Sequence, residues 1–250
     1  MRGFYFYICI SKLLSMTVKE IMTELEAFGN EGIKKILLKH GVKEPFFGVK
    51  VEHLKTIQKK IKKDYQLANE LYATHNADAM YLAGLIADDE KMTRKDLQAW
   101  AKAAVSNNIS EYTVPWVAAG SRYGYELATE WIDAKEEHIA AAGWATLSGL
   151  VALKPDEELD IAALKKLFAR IAKDIHNAPN RVRHAMNSFI ISAGSYVTAL
   201  TKDAIATATK IGAVTVDMNG TACKVPDAIA YINKVIDKGN HGKKKKMIKC

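Results

Sequence analysis

The stretch VKVEHLKTIQKKIKK, residues 49–63, decides the fold class of this chain. Its apolar side chains recur at the spacing that places them on one face of an α-helix. That face consists of Val51, Leu54, Ile57 and Ile61. Lysines cover much of the remaining surface, at positions 55, 59, 60, 62 and 63. The pattern predicts an amphipathic helix whose basic face is either a solvated surface or a binding surface.

The helical period continues on both sides of this stretch. Upstream, Thr17 and Glu20 form a capping-box pattern, which predicts the start of a helix. Downstream, the pattern predicts helices at 65–74, 76–88, 93–106, 124–133, 136–153, 160–176, 180–195, 201–211 and 226–238. Successive helix pairs are roughly 35–45 residues apart, which is typical of two-helix solenoid repeats. We therefore predict an all-α helical-repeat superhelix, with a compact helical bundle as the alternative.

One segment near the C-terminal end departs from the helical period. The stretch AVTVDMNGTACKV, residues 213–225, places Asn219-Gly220 between two runs that favour strands. A two-residue turn of this kind needs positive φ at both positions, which asparagine and glycine adopt readily. The segment predicts a small β-hairpin.

A second departure lies near the middle of the chain, in NNISEYTVPW, residues 107–116. Asparagine and serine are helix-start residues, and Pro115 removes a backbone hydrogen-bond donor. The stretch also carries one carboxylate, Glu111, and two aromatic side chains, Tyr112 and Trp116. This mixture differs from that of an ordinary surface turn, and it predicts the functional groove of a helical protein.

The two ends of the chain differ from the rest. Residues 1–15 contain a short apolar run behind Arg2, and we interpret them as a non-native or disordered extension, with Met16 starting the domain. Residues 16–238 are predicted to form a single helical-repeat domain. Residues 239–250 are predicted to be a flexible basic tail, whose lysines either contact phosphates or keep the protein soluble.

The formal net charge of +8 comes from these two ends. Of the 36 basic residues, seven lie within residues 1–15 and 239–250, which contain no acidic residue. Inside the body, residues 43–63 and 164–184 are basic, whereas residues 76–160 carry fifteen acidic and seven basic side chains. Two basic segments thus flank an acidic middle, and we expect a polyanion to bind at the basic segments.

Composition narrows the class of protein further. With 49% hydrophobic and 26% charged residues, the chain is globular, and no apolar run reaches the roughly 20 residues of a membrane helix. Cys9, Cys223 and Cys250 are few and far apart, which predicts free thiols and a cytoplasmic location. A zinc site from Cys223, His241 and Cys250 lacks the close ligand pair that usually anchors such a site. We expect no metal, no cofactor, no membrane contact and a monomer.

Three motifs occur in an order that is similar to that of a known family. They are PFFGVKVEHLKTIQK at 45–59, SEYTVPWVA at 110–118 and NRVRHAMNSFI at 180–190. Together they resemble the DNA alkylation repair family, the AlkD-like DNA glycosylases built from HEAT-like helical repeats. The resemblance implies a superhelix that holds duplex DNA against a basic, concave surface. It also implies excision of N3- or N7-alkylated purines by hydrolysis of the N-glycosidic bond, with an anion stabilising the oxocarbenium ion.

The catalytic positions of the family match this sequence only in part. The aromatic-to-aspartate motif falls on Glu111–Pro115, and Pro115 stands where the family has its catalytic aspartate. The active-site arginine of the middle helix falls near Ala140–Ala142. In the third motif Arg183 matches, but Ser188 stands at the tryptophan position. The sequence therefore leaves glycosylase activity open, and the alternative is a non-catalytic module that binds DNA structures or a protein partner.

The candidate site combines one carboxylate with aromatic and basic residues. Glu111 is the candidate catalytic group, and a solvent-exposed capping glutamate is the alternative for it. The candidate DNA-binding residues are Tyr112, Trp116, Trp144, Arg181, Arg183, His184, Asn187, Lys55, Lys59 and Lys63. The tryptophans and the tyrosine either form a groove wall or pack in the core. We expect the lysines and arginines to share one concave face with Trp116.

Overall fold

The computed structural model describes residues 16–250, so the predicted extension at 1–15 lies outside the described part of the chain. The α-helices of the described part are α1 (Val18–Ala27), α2 (Glu31–Lys39), α3 (Val51–Ile61), α4 (Tyr65–Tyr72), α5 (Ala77–Ile86), α6 (Arg94–Ala103), α7 (Val114–Gly120), α8 (Gly124–Trp131), α9 (Glu137–Leu153), α10 (Ile161–Asp174), α11 (Asn180–Tyr196), α12 (Thr201–Ile211) and α13 (Ala228–Asp237). A π-helix spans Ile109–Thr113, and 3₁₀-helices span Asp156–Glu158, Ile175–Asn177 and Thr198–Leu200. Residues 16–250 contain no β-strand, so the prediction of an all-α chain is confirmed.

Polar residues before the helices explain where several of them begin. Thr17 and Thr93 each accept a hydrogen bond from the backbone three residues later, and the acidic side chain at that later position completes a capping box. Asp64 and Asn76 cap α4 and α5 by accepting from backbone N–H groups of the first turn. These caps satisfy donors that have no partner inside the helix.

Helices α5 and α9 lie at the centre of the fold. Every residue of α5 is buried, and so is most of α9. One hydrophobic cluster runs from α1 to α9 and includes Leu82 and Trp100, and a second runs from α7 to α13 and includes Trp144 and Phe189. Helix α9 packs against α7, α8 and α11 and thereby joins the two clusters.

A glycine allows the π-helix to sit close to α5. A Cβ atom at Gly84 would lie 2.5 Å from Cγ2 of Thr113. Because packed interiors have little free space, a larger residue at Gly84 would push the π-helix away from α5. The absence of a side chain at Gly84 thus allows the π-helix to pack closely against α5.

The predicted β-hairpin at 213–225 is wrong, although its turn is present. Asn219 and Gly220 have φ values of 54° and 68°, as the asparagine–glycine pair predicts. The N–H of Thr221 donates to the carbonyl of Met218 at 3.1 Å and closes the turn. The runs on either side of it form no strands within this described segment.

Side chains of α11 explain why those runs do not pair with each other. Asn180 donates to the carbonyl of Asp217 at 2.9 Å and accepts from the N–H of Asp217 at 2.7 Å. Asn187 donates to the carbonyl of Pro226 at 2.9 Å. Asn180 thus occupies both backbone groups of Asp217, and Asn187 holds the segment again just beyond the predicted hairpin, so residues 212–227 form a loop, which we call the 212–227 loop.

Candidate nucleic-acid interface

The predicted interruption in the middle of the chain is the π-helix together with the start of α7. The N–H of Val114 donates to the carbonyl of Ile109, which makes the wide turn of a π-helix. Pro115 follows in the first turn of α7, where a missing N–H costs little. Two neighbouring side chains end in different surroundings: Glu111 is buried, whereas Tyr112 is 49% exposed.

The carboxylate of Glu111 is held at two points by Arg181. Nε of Arg181 donates to Oε1 of Glu111, and Nη2 donates to Oε2, both at 2.6 Å. Nδ1 of His184 lies 3.2 Å from Oε2. Burial raises the pKa of Glu111, but the hydrogen bonds and charges of His184 and Arg181 outweigh it and hold that pKa below its ordinary value. The carboxylate is therefore ionised and paired with a positive charge.

Further contacts fix the position of Arg181. Its backbone N–H donates to Oε1 of Glu137 at 2.6 Å, and its Nη1 lies 3.7 Å from Sδ of Met218. Burial lowers the pKa of Arg181, while Glu111 raises it, and the net change is a rise. The ion pair thus joins the π-helix to the start of α11 and to the 212–227 loop.

A cavity of about 430 Å³ lies beside the ion pair. Residues of α7, α9, α11 and α13 and of the last residues of the chain form its wall. We call it the tyrosine cavity, because Tyr112 and Tyr231 both line it and are 49% and 47% exposed. Pro115 and Ser188 also line it. Its volume falls within the range of about 300–1,000 Å³ that is common for ligand-binding sites.

A second cavity, of about 690 Å³, adjoins the first, and Trp116 and Ile248 line both. We call it the lysine cavity, because its lining includes Lys59, Lys62, Lys63, Lys246 and Lys249. Two of the candidate DNA-binding lysines, Lys59 and Lys63, thus share a cavity with Trp116. Because Trp116 is only 6% exposed, the exposed lysines are the part of this cavity that suits the phosphate groups of nucleic acids.

Residues 239–250 reach both cavities and bind the body of the protein. They donate hydrogen bonds to carbonyl groups at the C-terminal ends of α5, α9 and α11. The last carbonyl groups of a helix have no N–H partner within that helix. The bonds, at 2.8–2.9 Å, run from Gly242 N to Ser195, Lys245 N to Ala152, Lys244 Nζ to Val151 and Lys249 Nζ to Ala87. Part of the predicted flexible tail therefore lies on the body in this structure. The division of the chain into domains stays a prediction.

Three candidate DNA-binding residues are buried, and one of them, Trp116, is 6% exposed and packs in the core while it also lines both cavities. Trp144 is fully buried beside Phe189, with ring centroids 5.6 Å apart, so it belongs to the core and does not line a groove. Asn187 is 2% exposed, and its hydrogen bond to Pro226 holds the 212–227 loop. Of the two interpretations of the tryptophans, packing in the core applies to Trp144.

The remaining basic residues occupy different positions on their helices. Arg183 follows Arg181 by two residues and therefore lies roughly 200° around α11 from it. The expectation that all these basic residues share one face with Trp116 stays a prediction. Lys55 precedes Lys59 by one turn and lies on the same face of α3, but it lines neither of the two cavities.

Tyr231, the second tyrosine of the cavity, has no signal in the sequence that marks it as a site residue. It lies in α13, where its apolar neighbours follow an ordinary amphipathic pattern. Lys246 was predicted only as part of the tail. Both residues line the site because elements that are distant in the sequence pack together. A local sequence pattern does not predict such tertiary contacts.

Among residues 16–250, no group of three or more histidine, cysteine or acidic side chains is placed to hold a metal ion. Over the same range, no helix combines the length and the apolar character that crossing a membrane requires.

Residues 21–232 match the family described as DNA alkylation repair enzyme. The chain belongs to the DNA alkylation repair family. The family that the three sequence motifs resemble is thereby confirmed. This family member is 32% identical to an uncharacterised protein of Listeria innocua over 231 residues, which cover 90% of this chain and all of that protein. It is also 32% identical to an uncharacterised protein of Listeria monocytogenes, over 88% of this chain and 97% of that protein.

A solved structure resembles this DNA alkylation repair family member, with a TM-score of 0.86 and 34% sequence identity. The alignment covers 94% of this chain and 100% of the other. That protein is described as belonging to a new family related to the HEAT-like repeat DNA glycosylases, with affinity for branched DNA structures. The predicted HEAT-like helical-repeat fold is thereby confirmed.

Proposed function

We propose that this protein binds branched DNA and does not excise bases. The observation that carries the proposal is the ion pair between Glu111 and Arg181. Excision by the mechanism that the resemblance implies needs an anion whose charge is free to stabilise the oxocarbenium ion. Both oxygens of Glu111 accept hydrogen bonds from Arg181, so its negative charge already has a partner.

The tyrosine cavity offers no replacement for that anion among its side chains. Of the described residues that line it, Glu111 alone has an acidic side chain. Pro115, which stands at the aspartate position of the resemblance, has no charge and no hydrogen-bond donor. The cavity therefore suits binding better than it suits hydrolysis.

Positive charge next to this cavity supports DNA as the ligand. Lys59 and Lys63 line the lysine cavity together with Trp116, and both lysines are exposed. Phosphate groups bind such lysines and release counterions, which makes binding sensitive to salt. The solved relative has affinity for branched DNA structures, and this chain resembles it over 94% of its length.

Binding to a four-way DNA junction and to a linear duplex of the same base composition tests the proposal. We expect tighter binding to the junction in fluorescence anisotropy titrations at one fixed salt concentration. In the double variant Lys59→Ala/Lys63→Ala, the slope of log K against log salt concentration should fall by about 2 in magnitude, because two phosphate contacts are lost.

The matched control removes two exposed lysines from α6, in the acidic middle of the chain, in the variant Lys95→Ala/Lys102→Ala. These residues line neither cavity, so the salt slope should stay that of the unmodified protein. Equal affinity for the junction and the duplex would overturn the preference for branches. Equal effects of the two double variants would remove the lysine cavity from the binding site.

A further inference from the structure

The tyrosine cavity has features that binding to phosphates does not use. Ser195 is 1% exposed and lines the cavity, and its Oγ has no hydrogen-bond partner among residues 16–250. A buried hydroxyl without a partner is uncommon, because leaving water without forming a new hydrogen bond is unfavourable. Ser195 therefore indicates that the cavity accepts a ligand with polar groups.

Two tyrosine rings indicate that this ligand is flat and aromatic. Tyr112, at the π-helix, and Tyr231, in α13, both line the cavity and are about half exposed, although their rings are largely apolar. Bases of single-stranded nucleic acid stack on such side chains, and every base has a π face that can do so. Further hydroxyl groups come from Ser188 and Ser192, and a hydroxyl can donate or accept a hydrogen bond.

The position of the cavity also fits one nucleotide of a DNA chain. Trp116 and Ile248 separate it from the lysine cavity, because each of them lines both. A base in the tyrosine cavity thus has its phosphates close to Lys59 and Lys63. A base inside a duplex is stacked and paired, and must leave the helix at an energetic cost before it can enter such a cavity. An unpaired base at a branch point avoids most of that cost.

We infer that the tyrosine cavity receives one unpaired nucleobase at a DNA branch point, stacked against Tyr112 and Tyr231. The inference rests on the proposed function, since it names the part of branched DNA that the cavity recognises. Recognition by stacking and by serine hydroxyls tolerates any of the four bases. A branch point with an unpaired nucleotide is therefore the preferred ligand.

The test compares two three-way junctions that differ in a single chemical group. Both carry one unpaired nucleotide at the branch point, and in the second its base is absent, because a tetrahydrofuran abasic analogue replaces it. We expect the unmodified protein to bind the junction with the base about tenfold more tightly. Equal affinity for the two junctions would overturn the inference, whereas weak binding to both, at the level of linear duplex, would overturn the proposed function instead.

Variants of the cavity make the test specific. Tyr112→Ala removes one of the two stacking surfaces and should reduce the difference between the two junctions. Ser188→Trp fills the cavity with a large side chain and should abolish that difference. The matched control is Tyr125→Ala, because Tyr125 is 41% exposed but lines a different cavity. It should keep the tenfold difference, and circular dichroism spectra should show that all three variants are folded. A difference that persists in folded Tyr112→Ala and Ser188→Trp would place the unpaired base elsewhere.

Discussion

Glu111 and Arg181 are 70 residues apart in the sequence and form a two-point ion pair with only 4% and 16% of their side chains exposed. The pair fixes the π-helix to α11 at the edge of the tyrosine cavity. An ion pair at this depth loses much of its hydration, and its stability depends on both partners being present. It is therefore a structural element of this region, and in the proposed function it also explains why Glu111 does not act in catalysis.

Removal of Arg181 should destabilise the protein strongly. In Arg181→Ala, the buried carboxylate of Glu111 loses its main partner, so we expect the free energy of unfolding to fall by about 3–5 kcal/mol. Urea denaturation followed by circular dichroism measures this change. The matched control is Arg94→Ala, since the guanidinium of Arg94 also makes two ion contacts, to Glu126 and Glu130, but on the surface. It should lose much less stability, and similar losses in both variants would contradict the structural role of the pair.

The stability that Glu111 provides should depend on pH in the acid range. Its pKa in the folded protein lies below the ordinary value of 4.5, so the ionised form is favoured in the native state. Its contribution is complete above the ordinary pKa and is lost as the pH falls through the folded pKa. We expect the stability difference between the unmodified protein and Glu111→Gln to be constant above about pH 6 and to shrink towards pH 3. A difference that is independent of pH over this range would show that the charge of Glu111 contributes nothing.

The buried pair between Lys249 and Asp89 should behave differently. Nζ of Lys249 lies 2.6 Å from Oδ1 of Asp89, yet burial lowers the pKa of the lysine and raises that of the aspartate despite their attraction. The loss of hydration on burial thus affects both pKa values more than the attraction between the two groups does. We expect Lys249→Ala to lose about 3–5 kcal/mol of unfolding free energy, because Asp89 is left buried without its partner.

The double variant Asp89→Ala/Lys249→Ala then separates the effect of an unpaired charge from that of lost packing. It should be more stable than Lys249→Ala alone, as chemical denaturation of the two variants would show. The control is Lys246→Ala, because Lys246 is exposed and lies three residues before Lys249. This variant should leave the free energy of unfolding nearly unchanged. If the double variant were the less stable one, the unpaired charge of Asp89 would not be the cause of the loss in Lys249→Ala.

Asn180 should control the order of the 212–227 loop. Its side chain makes two hydrogen bonds to the backbone of Asp217, so Asn180→Ala should free that part of the loop. Hydrogen–deuterium exchange should become faster at 213–221 and stay unchanged in α9. Asn177→Ala, in the neighbouring 3₁₀-helix, makes neither hydrogen bond and should show the exchange pattern of the unmodified protein. Unchanged exchange in Asn180→Ala would mean that other contacts hold the loop.

The helices were predictable from the sequence because their signals are local. The apolar period of 49–63 and the capping boxes at Thr17 and Thr93 act within a few residues, and the structure has helices at these places. The turn at Asn219-Gly220 was predictable for the same reason. Strand pairing around that turn was not, because α11 competes for the same backbone groups from a distant part of the chain.

The candidate site was predictable in its location but not in its contacts. The motif order pointed to Glu111 and Arg181 separately, and no local pattern indicated that they bind each other. For the lysines near the C-terminus the sequence predicts a flexible tail that either contacts phosphates or keeps the protein soluble, whereas Lys244 and Lys249 donate to helix carbonyls. The sequence shows that these lysines are charged, but the positions of their ammonium groups depend on tertiary packing.

The most direct measurement uses one fluorescent four-way junction that carries a single N7-methylguanine in one arm. With protein in excess over DNA, anisotropy reports binding, and chromatography of the same sample reports the released base. We expect saturable binding, with base release at the spontaneous rate of the junction alone, both for the unmodified protein and for Glu111→Gln. Release that is faster than the spontaneous rate with the unmodified protein, and that Glu111→Gln abolishes, would contradict the claim that this family member binds branched DNA without excising bases.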